Sequence, residues 1–247
     1  MPEPPFLTLG VVIPALDEET DLPRALSSLQ NQTRRPSRVI VVDGGSRDRT
    51  AEIARDFGAT VLKAATRGRG NQTATGIHAT TEDIVIVGHA DMDFPPDAMD
   101  RIRSHLLSHP QCPGGCLGHR FASDGWPYRL IEWFDRRRAA AGESYGDQCQ
   151  FFRRELLATT GGYPAQPILE DVELSARMRT LGRPAYLNCP VTVSPRRFER
   201  VGLVRTLWQN WQFRRVYRRG GSPQPVRSST DTTRPERTLN DCRHCPR

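Results

Sequence analysis

The segment 83–96, DIVIVGHADMDFPP, combines a buried strand, an abrupt stop and three candidate ligands. Its run Ile84–Val87 is continuously apolar and mostly β-branched, which is typical of a strand buried on both faces of a parallel sheet. His89, Asp91 and Asp93 follow at alternating positions before a proline pair ends the strand. Such ligands at the carboxyl end of a strand suit Mg2+ or Mn2+ shared with substrate phosphates. Turn-forming aspartates are the alternative interpretation.

The segments on either side of this strand alternate between strand and helix patterns. Apolar runs at 9–13, 39–42 and 60–62 predict three further strands, and each precedes a stretch with helical spacing. This alternation predicts an α/β fold with a mostly parallel sheet flanked by helices. The spacing then predicts a helix at 95–107 and a strand at 114–121. We expect the polar ends of the first four strands to meet at one rim of the sheet.

Charged residues cluster at these strand ends. Asp43 opens the run DGGSRDRT (43–50), where a carboxylate can accept from a base N–H or a ribose hydroxyl, although a capping turn alone explains the glycines and the serine. The run RGRGNQ (67–72) at a helix start is a candidate phosphate cradle, because backbone N–H groups and the helix dipole favour an anion. The chain has neither the P-loop spacing nor a GxGxxG fingerprint, which argues against a P-loop NTPase and weakens a dinucleotide-binding interpretation.

The size and composition fit one α/β domain, with 247 residues of which 37% are hydrophobic and 26% charged. No apolar run approaches the roughly 20 residues needed to cross a bilayer. The amino terminus lacks a signal-peptide pattern, which predicts a cytoplasmic protein whose six cysteines are free thiols. The net charge of +7 favours a polyanionic partner: nucleic acid, an anionic membrane or a phosphorylated substrate. Cys242 and Cys245 form only half of a zinc-binding pattern.

Eight short motifs occur in order between about residues 8 and 205. They are VVIPALDEE (11–19), VVDGGSRDRT (41–50), the helix start at 69–76, HADMDFP (89–95), GDQCQFFRRE (146–155), GGYP (161–164), LEDVELSARMRTLG (169–182) and SPRRFERVG (194–202). Together they resemble the family 2 glycosyltransferases, and within that family a bacterial subgroup of small members. The resemblance implies the GT-A fold, a Rossmann-like sheet flanked by helices, in a single domain at 1–219. Its nucleotide-binding half would span about 8–95 and its acceptor half about 96–205.

The resemblance also implies an activity and a set of roles. The family moves a sugar from a nucleotide-diphosphate sugar, here taken as a UDP-sugar, to an acceptor hydroxyl with inversion and with Mg2+ or Mn2+. Asp171 matches the general base, with Glu170 beside it. Asp91 matches the last acid of the metal-binding DxD motif, and Asp43 would contact the nucleotide base. The other implied nucleotide-sugar positions are Pro14, Ala15, Asp17, Glu18, Arg69, Gln148, Arg196 and Arg197. Of these, Gln148 would face the acceptor or the diphosphate. Arg196 and Arg197 either close over the diphosphate or belong to a solvated basic face.

Two positions depart from the family pattern. His89 stands at the first DxD position, so either the motif is shifted to 91–93 or an imidazole replaces one acid. Ala74 stands where many relatives have asparagine. For Asp171 a structural alternative also exists, because acids occur at helix starts for electrostatic reasons alone.

The carboxyl-terminal half contains two helical patterns whose surroundings the sequence leaves open. The stretch 126–141 predicts an aromatic, basic helix, in which Trp133 and Phe134 are either core residues or a platform for a sugar. The amphipathic helix predicted at 203–219 either makes peripheral contact with an anionic membrane, on its inner face for a cytoplasmic protein, or docks on the catalytic domain. The tail at 220–247 has the composition of a disordered segment.

Two other functions compete with the transferase. A sugar-phosphate nucleotidyltransferase would also use a metal and a nucleotide on a similar sheet, but its reaction releases pyrophosphate. A basic nucleic-acid- or membrane-binding module without catalysis accounts for the net charge of +7. It does not account for acids at successive strand ends, which repel phosphates unless a cation intervenes, so no nucleic-acid partner is expected. The acceptor is left open among a glycan, a lipid and a small molecule.

Overall fold

The apolar runs of the amino-terminal half form four parallel strands, as predicted. The strands are β1 (Leu9–Ala15), β2 (Arg38–Asp43), β3 (Thr60–Lys63) and β4 (Ile84–Val87), connected by helices α1 (Leu22–Gln30), α2 (Thr50–Asp56) and α3 (Arg69–His78). Hydrogen bonding places them in the order β3, β2, β1, β4, with every neighbouring pair parallel. The carboxyl ends of these strands therefore share one rim of the sheet, where ligands bind in open α/β sheets.

The computed structural model describes residues 6–66, 68–164 and 169–203, together with 205, 206, 208, 209, 212 and 215. The described positions from 203 onward are helical, in agreement with part of the predicted helix at 203–219. The predicted disordered tail at 220–247, with its Cys242 and Cys245, lies outside the described residues. Within the described residues no helix has the length and apolar content needed to cross a membrane.

The carboxyl-terminal half extends the sheet with antiparallel pairs. β8 (Gln150–Arg153) pairs antiparallel with β4 on one side and with β6 (Gly114–Cys116) on the other, and β9 (Ala185–Tyr186) pairs parallel with β6. The helices of this half are α4 (Ala98–Ser108), α5 (Trp126–Ala140), α6 (Glu155–Thr159), α7 (Glu170–Leu181) and α8 (Arg196–Val201). The seven-stranded order is β3, β2, β1, β4, β8, β6, β9, a mixed α/β sheet that is mostly parallel.

The predicted single strand at 114–121 is wrong, because two strands in two different sheets occupy this segment. Its second part is β7 (His119–Phe121), which pairs with β10 (Val191–Val193) in a three-stranded sheet completed by β5 (Met92–Asp93). Gly118 separates β6 from β7 with φ of 89°, a left-handed conformation that favours glycine. Asp93 and His119 therefore lie on two strands that both pair with β10.

Two apolar layers cover the central sheet. Because side chains alternate along a strand, Val11 and Ile13 of β1 pack with α1 and α4 on one face, whereas Val12 packs with α3 and α7 on the other. Helix α3 lies especially close to the sheet, since a Cβ added to Gly76 would lie 2.4 Å from Val12 Cγ1. This close contact fixes the position of α3, whose first residue is Arg69. Four cysteines are free and buried, as predicted for thiols, namely Cys112, Cys116, Cys149 and Cys189.

Candidate active site

Asp43 lies at the carboxyl end of β2 and holds the turn that follows it. Its Oδ1 accepts from Ser46 N at 2.9 Å and from Ser46 Oγ at 2.5 Å. Asp17, at the end of β1, has φ of 54°; its N–H donates to Ser46 Oγ, and its Oδ1 accepts from Arg47 N at 2.7 Å. Oδ2 of Asp43 has no hydrogen-bond partner among the described residues. The turn therefore orients Asp43 while leaving one carboxylate oxygen for a ligand.

Gln72 is a site residue that the sequence analysis missed. Its side chain projects from α3, is buried, and donates from Nε2 to Ala15 O at 2.8 Å and to Val42 O at 2.9 Å. It also lies against Gly44, where a Cβ would come within 2.9 Å of Nε2. Gln72 thus holds together the ends of β1 and β2, including the predicted positions Pro14 and Ala15. No sequence signal identifies it, because a glutamine near a helix start is ordinary until the strand ends lie beside it.

Arg196 forms ion pairs with carboxylates on the rim of the sheet. This residue of α8 approaches Glu18 Oε2 at 2.9 Å and Asp21 Oδ2 at 2.7 Å. Asp91 belongs to the same group of charges, because burial and the nearby Glu18 raise the pKa of its carboxyl, and Asp21 adds to the rise. The carboxylates of Glu18, Asp21 and Asp91 and the guanidinium of Arg196 are therefore grouped at this rim, and Arg24 donates to the backbone oxygen of Asp91 at 3.1 Å. The side chain of Arg197 lies outside the described residues.

A second charged group surrounds Asp171 at the start of α7. Its Oδ2 accepts from Gly146 N at 2.7 Å and its Oδ1 from Val172 N at 2.9 Å. Arg69 lies 3.8 Å from Oδ2 and donates from Nε to Glu170 Oε1 at 2.7 Å. Glu170 is 3% exposed, and burial raises the pKa of its carboxyl despite the Arg69 charge. The predicted base and the predicted phosphate-binding arginine are therefore in one cluster.

His89 faces this second group. A Cβ added to Gly146 would lie 3.2 Å from His89 Nε2 and 3.1 Å from Asp171 Oδ2, so the two side chains meet over this glycine. The buried Nε2 of His89 has no hydrogen-bond partner among the described residues. Burial and the Arg69 charge lower the pKa of His89 to about 4, which keeps the imidazole neutral at neutral pH. A neutral, partnerless ring nitrogen has the properties of a metal ligand.

The predicted metal ligands do not form one three-residue cluster. Asp93 lies in β5, where it pairs with Thr192 of β10 in the small sheet. Within the described part of the chain, the residues with ligand atoms within 4.8 Å of one another are His119, Asp135 and Asp147, rather than His89, Asp91 and Asp93. A cation held by Asp91 would thus draw further ligands from elsewhere, as a metal bound to a substrate diphosphate does.

Gln148 holds the turn at Gly146–Gln148 in place instead of presenting its side chain to a ligand. The side chain is 1% exposed, accepts from Tyr145 N at 3.0 Å and donates to Asp135 O at 3.3 Å. These bonds attach the turn to α5. Gln148 therefore acts on the site through Gly146, whose N–H contacts Asp171.

Helix α5 exposes a row of large apolar side chains. Trp126 is 77% exposed, Leu130 47%, Trp133 49% and Phe134 58%, at helical spacing along one face. The interpretation of Trp133 and Phe134 as core residues is therefore wrong. The guanidinium of Arg137 lies 4.8 Å from the Trp133 ring centroid. A basic, aromatic face of this size on an outer helix is typical of a contact surface.

The chain matches the sequence profile described as Glycosyl transferase family 2 over residues 10–161. It is 30% identical over 166 residues to the undecaprenyl-phosphate 4-deoxy-4-formamido-L-arabinose transferase of Pseudomonas paraeruginosa. This alignment covers 62% of this chain and 49% of that protein. It is 40% identical over 94 residues to the 4,4'-diaponeurosporenoate glycosyltransferase of Staphylococcus haemolyticus, covering 35% of this chain and 25% of that protein. The alignments therefore span about half or less of these relatives.

Solved structures share the fold at low sequence identity. The mannosyltransferase PcManGT from Pyrobaculum calidifontis, in complex with GDP-Man and Mn2+, superposes with a TM-score of 0.63 at 21% identity, covering 90% of this chain and 68% of that one. S. aureus TarS 1–349, in complex with UDP-GlcNAc, gives 0.63 at 16% identity, covering 76% and 58%. These likenesses confirm the predicted fold class.

Proposed function

Because the chain belongs to glycosyl transferase family 2, we propose that it transfers a sugar from a nucleoside diphosphate sugar to an acceptor hydroxyl. The observation that carries the proposal is the cluster around Gly146, where Asp171 and His89 meet and where Arg69 lies 3.8 Å from Asp171. Transfer of a sugar from a diphosphate requires a base for the acceptor proton and positive charge for the departing diphosphate, and Asp171 and Arg69 supply these two properties here.

The strand rim is the proposed donor pocket. The free Oδ2 of Asp43 suits a base N–H or a ribose hydroxyl, and the turn bonds from Ser46 fix its direction. We take the donor as a UDP-sugar, since TarS and the glucosyl-3-phosphoglycerate synthase of Mycobacterium tuberculosis bind UDP. A GDP-sugar is the alternative, since PcManGT binds GDP-Man. Asp17 and Glu18 line the same pocket. Arg196, which pairs with Glu18, would turn to the diphosphate on binding.

Asp91 and His89 are the proposed protein ligands of a divalent cation, Mg2+ or Mn2+. Two observations fit this role: Glu18 and Asp21 crowd Asp91 with negative charge, and His89 Nε2 is buried without a partner. Asp93 is the alternative second acid. When bound, the cation neutralises charge on the departing diphosphate.

Asp171 is the proposed general base. The acceptor hydroxyl loses its proton to the carboxylate as its oxygen bonds to the anomeric carbon, and the bond from that carbon to the diphosphate oxygen breaks. Displacement in a single step inverts the anomeric configuration and releases a nucleoside diphosphate. The N–H groups of Gly146 and Val172 fix the carboxylate in place, and Arg69 supplies positive charge beside it. Glu170 holds Arg69 and does not contact the acceptor in this proposal.

The acceptor is proposed to be carried on a lipid. The exposed row on α5 offers aromatic and aliphatic contacts with basic residues beside them, as interfacial helices do. The names of the two curated relatives also specify lipid substrates. Flotation with anionic vesicles, comparing the full chain with Trp133→Ser/Phe134→Ser, tests the surface. Equal flotation of both proteins, or none by either, would remove the lipid from the proposal.

The test of the reaction is turnover of UDP-sugars by Asp171→Asn, with Asp56→Asn as the matched control because Asp56 is exposed on α2. A lost general base lowers kcat by about 100- to 10,000-fold, and turnover is compared at a temperature well below the unfolding midpoint of the variant, because Asn cannot accept from both Gly146 N and Val172 N. Product analysis separates the competing enzyme, since a nucleotidyltransferase releases pyrophosphate. Wild-type turnover by Asp171→Asn would contradict the assignment of the base.

A further inference from the structure

Three elements outside the donor pocket bring metal-ligating side chains together. His119 comes from β7, Asp135 from α5 and Asp147 from the turn at Gly146–Gln148. One ligand atom of each lies within 4.8 Å of the others. Two ligands bonded to one cation at about 2.0–2.2 Å lie at most about 4.4 Å apart, and His119 Nε2 and Asp135 Oδ2 are 3.7 Å apart.

His119 is the observation that points to a ligand. Its side chain is 1% exposed, and neither ring nitrogen has a hydrogen-bond partner among the described residues. A buried imidazole normally donates from one nitrogen and accepts at the other. Nε2 faces Asp135 Oδ2 at 3.7 Å, beyond hydrogen-bond distance. The ring is thus aimed at the acids but not bonded to them.

The charged groups around His119 carry more negative than positive charge, which favours a cation between them. Arg138 pairs with Asp135 Oδ1 and stacks on Tyr145, with its guanidinium 3.6 Å from the ring centroid, so Oδ2 remains directed at His119. Asp147 places a second carboxylate beside that of Asp135. One guanidinium therefore only partly offsets two carboxylates. Asp147 is exposed, which gives the cluster access to solvent.

We propose that His119, Asp135 and Asp147 bind a divalent first-row cation of the Mn2+ or Zn2+ class, at a site separate from the cation of the donor diphosphate. One imidazole and two carboxylates suit these metals better than Mg2+ or Ca2+, which take oxygen ligands. Water fills the remaining positions on the solvent side. Binding at this site requires no nucleotide.

Cation binding at this site positions the candidate base Asp171; this step rests on the proposed function. Asp147 directly follows Gly146, whose N–H donates to Asp171 Oδ2. A cation bound by Asp147 together with Asp135 of α5 and His119 of β7 holds the turn in place. The N–H of Gly146 is thereby held in place as well. The cluster is therefore a positioning site for the candidate base rather than a part of the reacting group.

The experiment is a Mn2+ titration of the metal-free full chain without nucleotide, followed by electron paramagnetic resonance. The wild type is expected to bind one Mn2+ in this condition. Asp147→Asn should weaken binding about tenfold or more, whereas Asp91→Asn and the matched control Asp124→Asn, whose side chain is 98% exposed, should bind as the wild type does. Because Asp147 is exposed, its variant should fold.

A nitrogen coupling in the spin-echo modulation of bound Mn2+ provides the second readout. It is expected to persist in Asp91→Asn and to disappear in His119→Gln. Absence of nucleotide-independent Mn2+ binding by the wild type would overturn the proposal, as would binding abolished by Asp91→Asn but unaffected by Asp147→Asn. Neither result depends on transferase activity, so the proposed function stands or fails separately.

Discussion

Replacing Arg69 by methionine removes the cation that pairs with Glu170. The Glu170 side chain is 3% exposed, its Oε1 accepts from Arg69 Nε at 2.7 Å, and its Oε2 has no hydrogen-bond partner among the described residues. Removing one partner of a fully buried ion pair destabilises a protein by about 3–5 kcal/mol. Since the Arg69 side chain is 41% exposed, water screens part of the interaction, and we expect about 2–3 kcal/mol at pH 8.

The loss should depend on pH, with a sign fixed by Glu170. Burial already raises the pKa of this carboxyl above its ordinary value of 4.5, and removing Arg69 raises it further. A carboxyl with a raised pKa in the folded state binds its proton more tightly when folded. The penalty is therefore absent below the unfolded pKa and complete above the folded pKa, at about 1.4 kcal/mol per unit of added shift. We expect Arg69→Met to lose more stability at pH 8 than at pH 5.

Urea unfolding followed by tryptophan fluorescence at both pH values measures this difference. Arg69→Met/Glu170→Gln should recover most of the loss, because it leaves no unpaired carboxylate at position 170 while Asp171 keeps its hydrogen bonds from Gly146 N and Val172 N. Arg101→Met is the matched control, since its pair with Asp97 is 53% and 46% exposed and is screened by water, so that its loss should change the stability little at either pH. Equal losses at pH 5 and pH 8, or no recovery in the double variant, would refute the reasoning.

Two further changes test how the strand rim is held. Gln72→Leu removes the donor to Ala15 O and Val42 O, and should destabilise the protein by about 1–3 kcal/mol in urea unfolding while raising KM for the donor more than it lowers kcat. Gly76→Ala places a methyl group 2.4 Å from Val12 Cγ1. We expect the variant to be less stable, because overpacking costs about 1–3 kcal/mol and helix propensity returns only about 1 kcal/mol. A raised thermal midpoint would contradict the close packing of α3.

The sequence was sufficient for β1, β2 and β4 because their central residues are buried on both faces, and the half-buried edge strand β3 was predicted from its apolar run and its place in the alternation. A fully buried parallel strand reads as an uninterrupted apolar run, and no other element of that length has this pattern with turn residues after it. The acids that follow these strands then meet at one rim because the strands are parallel. Asp17 and Asp43 were therefore predictable as neighbours, and Ser46 Oγ contacts both.

The short strands and the packing of polar side chains were not predictable in the same way. β5, β7 and β10 have two or three residues each, too few for any periodicity, and their pairing joins distant segments, Asp93 with Thr192 and His119 with Val191. Gln72 and His119 carry no motif, and their importance arises only from what the tertiary fold places beside them. The exposure of Trp133 reverses an expectation based on residue type, since large aromatic side chains are usually buried.

The charges of the donor pocket explain why the proposed reaction needs a cation. Among the described residues, the carboxylates of Glu18 and Asp21 share the guanidinium of Arg196, and Asp91 lies close enough for their charge to raise its pKa; the guanidinium of Arg24 contacts the backbone oxygen of Asp91. A diphosphate adds further negative charge and competes with the acids for Arg196. Binding becomes favourable only if a divalent cation takes over the acids as Arg196 moves to the diphosphate. We therefore expect Arg196→Gln to weaken donor binding measured calorimetrically at saturating Mn2+, because the diphosphate loses this guanidinium; donor affinity equal to that of the wild type would contradict the role of Arg196.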